Sequence, residues 1–137
     1  MEESLSRNIF QRLLGLPATP KPANDSCWTF SDGKLEVDLN HAKELSVAGG
    51  AIRIESKKLP TRIIIFRGTD DKFYAFNNKC THMGRRLDPV PGTKTVQCCS
   101  IGKTTFNYDG KAISGMGKNS LQKFTVEKSL DKLVIHL

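Results

Sequence analysis

The chain has 137 residues, 38% of them hydrophobic and 26% charged, and its formal net charge is +7. This size suits one domain with a real core, and the ordinary charged fraction argues against intrinsic disorder. The apolar run at residues 63–66 is bounded by Arg62 and Arg67, so the sequence excludes a membrane-spanning helix, which needs about 18 apolar residues. The N-terminus begins with polar Glu2 and Glu3 and builds no secretory signal, so we expect a cytoplasmic protein.

The first segment predicts a short amphipathic helix followed by a connector. Four apolar side chains share one helical face: Ile9, Phe10, Leu13 and Leu14. Because isolated helices this short are marginally stable, this one must pack on the domain, on a second copy or on a partner. Residues 16–22 contain three prolines, which is typical of a stiff extended connector. We therefore divide the chain into residues 1–26, which carry the helix and connector, and residues 27–137, which form the domain.

The domain contains short runs with the alternation or apolar character of β-strands. These runs lie at residues 35–39, 51–55, 63–67 and 73–76, and in a C-terminal pair at 124–126 and 133–135. Turn residues separate them and no helical pattern intervenes, which predicts an all-β antiparallel sandwich or barrel. Four side chains have structural explanations: Cys27 and Trp28 in the core, His41 on a surface loop and His136 on the last strand.

Two polar, glycine-containing loops carry the candidate metal ligands. The first loop has a Cys-x-His pair, Cys80 and His82, and the second has adjacent cysteines, Cys98 and Cys99. In a reducing compartment, such cysteines are more typical of free thiols or metal ligands than of disulfides. A thiolate and a neutral imidazole on one loop can bind a common centre, and cysteine from the second loop can close it.

This arrangement resembles the Rieske iron-sulfur domains, whose pattern is Cys-x-His, a spacer of about 16 residues and Cys-x-x-His. In this chain 16 residues separate His82 from Cys99. The similarity continues downstream at Phe106, Gly110 and Ser114-Gly115. The resemblance covers roughly residues 27–137 and implies a Rieske-like β-domain with a 2Fe-2S cluster, one iron held by two cysteines and the other by two histidines.

One position of the resembled pattern lacks its ligand. Gly102 stands where the second histidine is expected, so the resemblance implies three ligands, Cys80, His82 and Cys99, and an open position at the outer iron. Cys98 is the first candidate for the fourth ligand, but side chains of adjacent strand residues diverge unless the backbone turns between them. The oxygen donors Ser100 and Thr104, and water, are weaker alternatives.

Further departures from the family bear on the reduction potential. A third thiolate in place of an imidazole would change the formal charge of the oxidised centre from zero to about −1 and lower its potential. Phe106 occupies the family's tyrosine position and cannot donate a hydrogen bond, whereas Thr104 keeps a hydroxyl at the serine position. The positions of a disulfide found in some relatives hold Arg85 and Ile101, and Met116 replaces a proline of the covering loop.

Basic residues are concentrated around these loops. Residues 79–118 contain seven basic and two acidic side chains. Such a positive face could steer an acidic redox partner, although ordinary solubility explains it equally well. Nucleic-acid binding is disfavoured because no row of aromatic residues accompanies the charges.

Three hypotheses follow. The first is a small soluble electron carrier, not itself an enzyme, with a 2Fe-2S cluster held by Cys80, His82, Cys99 and a candidate fourth ligand, Cys98; any oxidoreductase catalysis would reside in a protein partner. The second is a cluster-free Rieske-like module kept for protein association. The third is a mononuclear zinc or iron site that uses the same three cysteines and histidine.

Overall fold

The computed structural model describes residues 9, 11, 14, 16–81, 84–99, 103–115 and 119–137. Eleven strands lie within these residues and pair antiparallel. They are β1 (Trp28–Ser31), β2 (Lys34–Asp38), β3 (Ala51–Ile54), β4 (Ile63–Arg67), β5 (Phe73–Asn77), β6 (Leu87–Pro89), β7 (Thr95–Cys98), β8 (Thr105–Asn107), β9 (Ala112–Ser114), β10 (Lys123–Ser129) and β11 (Lys132–His136). Two short 3₁₀ turns, Asp25–Cys27 and Lys43–Ser46, precede β1 and β3.

The strands form two sheets. The larger has seven strands in the order β1-β2-β11-β10-β5-β4-β3, and the smaller has four in the order β6-β7-β8-β9. The predicted all-β antiparallel fold is therefore confirmed. The predicted N-terminal helix falls largely on residues outside those described. Within the described residues, no helix has the length and apolar character needed to cross a membrane.

Two-residue turns connect the strands of the two hairpins β1–β2 and β10–β11. Between β1 and β2, Asp32 and Gly33 have φ values of 51° and 74°, the left-handed geometry that suits a two-residue hairpin turn. The predicted C-terminal hairpin is also confirmed, with Val126 opposite Ile135.

Strand β4 forms a wall between two cores, which explains its unbroken apolar sequence. Ile63 and Ile65 pack into the first core, inside the curled seven-stranded sheet, whereas Ile64 and Phe66 pack into the second core, against the four-stranded sheet. Successive side chains of a strand point to opposite faces, so a strand buried on both faces loses its polar alternation.

Aromatic side chains from the two sides of the second core pack against each other. The rings of Tyr74, in β5, and Tyr108, directly after β8, have centroids 4.6 Å apart, and both contact Phe66. The Tyr108 hydroxyl donates to the Thr93 carbonyl at 3.1 Å. Burial and a hydrogen bond to Asp70 raise the pKa of Tyr74 to about 12, so this hydroxyl stays protonated as a donor.

Candidate metal centre

The first ligand loop connects β5 to β6 and is fixed at its base by a buried asparagine. Asn78 Oδ1 accepts a hydrogen bond from the Leu87 amide at 2.7 Å, which holds the end of β5 beside the start of β6. Within the loop, the Cys80 amide donates to the Arg85 carbonyl at 2.7 Å, and the Gly84 amide donates to the Cys80 carbonyl at 2.8 Å. These bonds place Cys80 in a compact turn, where its side chain is buried.

The second ligand loop follows β7 and lies directly beside the first. Cys98 pairs with Leu87 across β6 and β7, and the Cys99 amide donates to the Arg86 carbonyl at 2.9 Å. The amides of Cys80 and Cys99 are therefore bound by consecutive carbonyls, those of Arg85 and Arg86. This shared segment brings the backbones of the two loops together.

The two adjacent cysteines, Cys98 at the end of β7 and Cys99 directly after it, face opposite sides, as strand alternation predicts. Cys98 is buried in the second core, whose members include Cys80. Cys99 is also buried, but its Sγ lies 3.2 Å from Oδ2 of Asp88, to which the thiol donates. The position of Asp88 opposite Gln97, two residues from Cys99, puts the carboxylate on this second face.

Asp88 also binds the proline-containing segment at residues 16–22, which we call the strap. Its Oδ2 accepts from the Ala18 amide and its Oδ1 from the Thr19 amide, each at 2.8 Å. Arg53 holds the same segment from β3, because its amide donates to the Pro20 carbonyl at 2.9 Å and its Nε donates to the Thr19 carbonyl at 3.0 Å. The strap therefore packs over the face that carries the Cys99 thiol.

An ion-pair chain lies next to this face. Arg86 binds Glu55 through two hydrogen bonds of 2.5 and 2.9 Å, and Arg53 binds the same carboxylate at 3.0 Å. The Arg86 hydrogen bond is the main cause that lowers the Glu55 pKa to about 2, opposed by burial and assisted by Arg53. In return, the hydrogen bonding of Arg86 to Glu55 is the main cause that raises the pKa of Arg86.

A buried hydroxyl and a glycine complete the surroundings. Thr104 is fully buried, and its Oγ1 has no hydrogen-bond partner within the part of the chain that the structure describes. Gly115 has a φ of 91°, and a Cβ there would lie 2.5 Å from the Cα of Thr104. Only glycine therefore lets the segment after β9 approach Thr104 so closely. Phe106, at the position of the family's tyrosine, is buried in the second core.

An open pocket of about 320 Å³ lies beside Cys80. The exposed Lys79 and Thr81 contribute to its lining, and the Thr81 hydroxyl donates to the Asn119 carbonyl at 2.9 Å. This bond connects the first ligand loop to the segment that begins at residue 119. The pocket gives solvent, or a partner, access to one side of the loop.

The predicted site residues fall into two groups. Cys80, Cys98 and Cys99 are described and lie on adjoining segments. The predicted ligand His82, the alternative donor Ser100, and the predicted family positions Ile101, Gly102 and Met116 lie outside the described residues. Among the residues that are described, no group of three His, Cys, Asp or Glu side chains is arranged to hold a metal ion. The ligand set therefore stays a prediction.

Of the remaining predicted features, Cys27 is buried and Trp28 packs against the first core. His41 is exposed beside Asp38 on a loop, and His136 bonds to Glu127 on the last strand. Four lysines of the basic region are exposed: Lys79, Lys94, Lys103 and Lys111. Sequence reasoning missed the site roles of Asp88 and Arg86, since their partners are distant in sequence and no motif marks them.

Comparisons with known proteins agree with this architecture. The family model described as "Rieske [2Fe-2S] domain" matches residues 36–125, which include both ligand loops. No curated protein matches the chain. Solved structures resemble it at low sequence identity, and at this level of identity the likeness concerns the fold.

Three of these structures illustrate the range. The chain resembles a structure from the oxygenase–ferredoxin complex of carbazole 1,9a-dioxygenase, with a TM-score of 0.61, 20% identity, and coverage of 77% of this chain and 94% of that one. The corresponding ferredoxin from Nocardioides aromaticivorans has a TM-score of 0.57, 13% identity, and coverage of 68% and 91%. A quaternary ammonium Rieske monooxygenase has a TM-score of 0.54 and 24% identity; 69% of this chain is covered but only 28% of that enzyme.

Proposed function

The chain belongs to the Rieske [2Fe-2S] domain family, and from this premise we propose that it is a small electron-transfer module. In this proposal Cys80, His82 and Cys99 hold a 2Fe-2S cluster, and Cys98 is the candidate for the fourth ligand. Residues 27–137 form the cluster domain, to which residues 1–26 are attached. The module works in the cytoplasm and carries out no bond chemistry of its own.

The observation that supports the proposal is that the backbones of two loops with buried cysteines, Cys80 and Cys99, are bound to one short segment, residues 85–86. Thiolates are the ligands that iron–sulfur clusters require. The Thr104 hydroxyl supports the same assignment. A buried hydroxyl without a partner among the described residues is costly unless a bound group accepts its hydrogen bond, and a cluster sulfur is such an acceptor.

The chemistry that the cluster would supply is the reversible storage of one electron. The chain's own residues determine how easily that electron is accepted. Two thiolates and one imidazole leave one position to be filled, and a third thiolate from Cys98 would make the centre more negative and lower its potential. Phe106 works in the same direction, since it offers no hydrogen bond to the site.

A redox protein is the partner expected for such a module. Structures similar to this chain include a ferredoxin in complex with an oxygenase, which makes docking on a larger redox protein plausible by analogy. We propose that the partner presents an acidic face to the exposed lysines near the ligand loops, Lys79 and Lys103 among them. Binding would then weaken as salt increases, and we propose no nucleic-acid partner.

A second candidate function is a cluster-free module for protein association. The contact that favours it is the hydrogen bond from the Cys99 thiol to the Asp88 carboxylate. A thiol in this contact keeps its proton, whereas a metal ligand must lose it. The same carboxylate also binds the strap. The polar groups on this face therefore have hydrogen-bond partners without a metal.

The decisive experiment is anaerobic purification followed by iron, sulfide and zinc analysis with visible and EPR spectra. We expect about two irons and two sulfides per chain. Substitution of Cys80 or Cys99 with serine should abolish them, whereas Cys27→Ser, in the first core, is the matched control and should retain them. Gly102→His should increase cluster content if the outer position is open.

Other results discriminate among the alternatives. A colourless protein with neither metal nor sulfide would reject electron transfer, and partner binding unchanged by Cys80→Ala would then favour the association module. One zinc without sulfide would establish the mononuclear site of Cys80, His82, Cys98 and Cys99. Loss of iron in Cys98→Ser, with retention in Cys27→Ser, would identify Cys98 as the fourth ligand.

A further inference from the structure

Arg62, immediately before β4, contacts both ends of the first ligand loop. Its Nη2 donates to the Gly84 carbonyl at 2.7 Å, and its Nε donates to the Asn78 carbonyl at 3.2 Å. The backbone repeats the connection, because the Asn78 amide donates to the Arg62 carbonyl at 2.8 Å. One side chain therefore spans the segment that contains Cys80 and His82.

The geometry of this contact is specific to a guanidinium. A planar fork with several fixed N–H groups can donate to two carbonyls at once and hold them at a set separation. A lysine ammonium keeps the charge on a flexible stem and fixes no such separation. Because the two carbonyls are the ends of a tight loop, their separation controls how the loop presents its ligands.

The charge of Arg62 is the second part of the argument. Burial is the main cause that lowers the Arg62 pKa, with a further contribution from the positive charge of Arg86, and the negative charge of Glu55 partly opposes this. Arg86 is paired with the carboxylate of Glu55, to which it donates two hydrogen bonds. Arg62, in contrast, makes its hydrogen bonds to carbonyls within the described residues, so its positive charge is not cancelled by a bonded carboxylate.

We propose that Arg62 is a positioning residue of the metal centre, which fixes the first ligand loop and places a half-buried positive charge beside thiolate ligands. This inference rests on the proposed function and deepens it. A cation near the centre stabilises the reduced, more negative state, so Arg62 raises the reduction potential. It thereby offsets the potential-lowering effect of an additional thiolate at a site that lacks its second histidine.

The test separates the charge from the fork. Arg62→Lys keeps the charge and loses the fork, whereas Arg62→Gln loses the charge and keeps one short amide donor. Arg67→Gln is the matched control, since Arg67 ends the same strand, donates to the Ser46 carbonyl and pairs with Asp71. We measure the reduction potential and iron content of each protein, and hydrogen exchange of the Cys80 and Gly84 amides in the apo chain.

We expect Arg62→Gln to lower the potential relative to wild type, and Arg62→Lys and Arg67→Gln to leave it unchanged. Both Arg62 variants should exchange the Cys80 and Gly84 amides about tenfold faster than Arg67→Gln, as expected for the loss of one or two hydrogen bonds. Iron affinity should fall by about tenfold or more in both, which is typical when a residue that orients metal ligands is removed.

Equal reduction potentials in wild type and Arg62→Gln would overturn the proposed effect of the Arg62 charge. Unchanged amide exchange in both Arg62 variants would overturn the proposal that its guanidinium fixes the loop. If Arg62→Gln does not fold, the exchange and iron affinity of Arg62→Lys decide the proposal. A wild-type chain without iron and sulfide would reject the proposed function and the charge effect together. The exchange measurement on apo protein would still accept or reject the fork, so the two failures are distinguishable.

Discussion

The seven-stranded sheet encloses a core of apolar side chains, whereas the buried polar side chains among the described residues lie around the four-stranded sheet and its loops. The first core is built from residues such as Leu35, Ile65 and Leu133. The buried polar set consists of Thr19, Asn78, Asp88 and Thr104. Three of these make specific bonds that fix the strap or a ligand loop, and the fourth, Thr104, lies where the proposed centre would use it.

This difference shows what each region is built to do. Apolar packing is non-directional and tolerates exchange of similar side chains. It therefore stabilises the folded sheet. Buried hydrogen bonds are directional and costly when incomplete, so they specify where individual atoms lie. The first region is a scaffold in this sense, and the second holds the thiols at a defined place upon it.

The largest expected effect comes from a substitution in β4, the strand that contributes to both cores. Phe66→Ala removes a buried ring that contacts Tyr74, Phe76 and Tyr108, and should lower the free energy of unfolding by about 4 kcal/mol. Because β4 belongs to both cores, urea denaturation should retain a single transition by fluorescence and circular dichroism. The exposed Val47→Ala control should change stability by less than about 0.5 kcal/mol. Two separated transitions would mean that the regions are independent units.

The second effect tests the polar region alone. Asp88→Ala leaves the Ala18 and Thr19 amides without their acceptor, and should cost about 3 kcal/mol because both bonds are to a buried carboxylate. Exchange and proteolysis should increase in the strap at residues 16–22 before the rest of the chain. Asp109→Ala, whose carboxylate is exposed, controls for the loss of a negative charge. An unchanged strap in Asp88→Ala would show that Arg53 alone holds it.

The strands of the seven-stranded sheet were largely predictable from the sequence, because their apolar residues follow a regular pattern. The run at 63–67 and the C-terminal hairpin coincide with β4 and the β10–β11 pair. The alternation of apolar residues or their continuous burial marks such strands directly. The short strands β6 and β9 of the second sheet, each of three residues, carry too little pattern to be detected.

The site was predictable only where a motif marks it. Residue type and spacing predict Cys80, Cys98 and Cys99 as ligands, and this ligand set stays a prediction; the divergence of the two adjacent cysteines follows from strand alternation. The role of Asp88 could not be predicted, since its partners Ala18 and Thr19 lie about 70 residues away along the chain. The contact between Arg62 and Gly84 has the same character, because it depends on how β4 packs beside a loop.

A smaller expected effect is the pH dependence of stability that comes from Glu55, whose carboxylate binds Arg53 of β3 and Arg86 beside the ligand loops. Glu55 has a folded-state pKa of about 2 against an ordinary value of 4.5, so its stabilisation is present above about pH 4.5 and is lost as the pH falls toward 2. Wild type should therefore lose about 2 to 3 kcal/mol of stability across this window through Glu55, and Glu55→Gln should lose correspondingly less. Urea titrations at successive pH values measure this. Glu36→Gln, which removes an exposed ion pair with Lys132, is the control, and parallel curves for wild type and Glu55→Gln would contradict the prediction.

The smallest expected effect is an increase in stability, which should arise in the seven-stranded sheet and leave the metal centre unchanged. Leu130, at the tip of the β10–β11 hairpin, has a φ of 54° and is 88% exposed, so it bears the strain of the left-handed region without burying its side chain. Leu130→Asn should raise stability by about 0.5 to 1 kcal/mol, because asparagine adopts this conformation more readily. The melting temperature should rise while iron content stays at the wild-type value. Asp131→Asn, the neighbouring turn substitution, should leave the melting temperature nearly unchanged, and a destabilised Leu130→Asn would mean that the leucine makes a contact worth more than the strain.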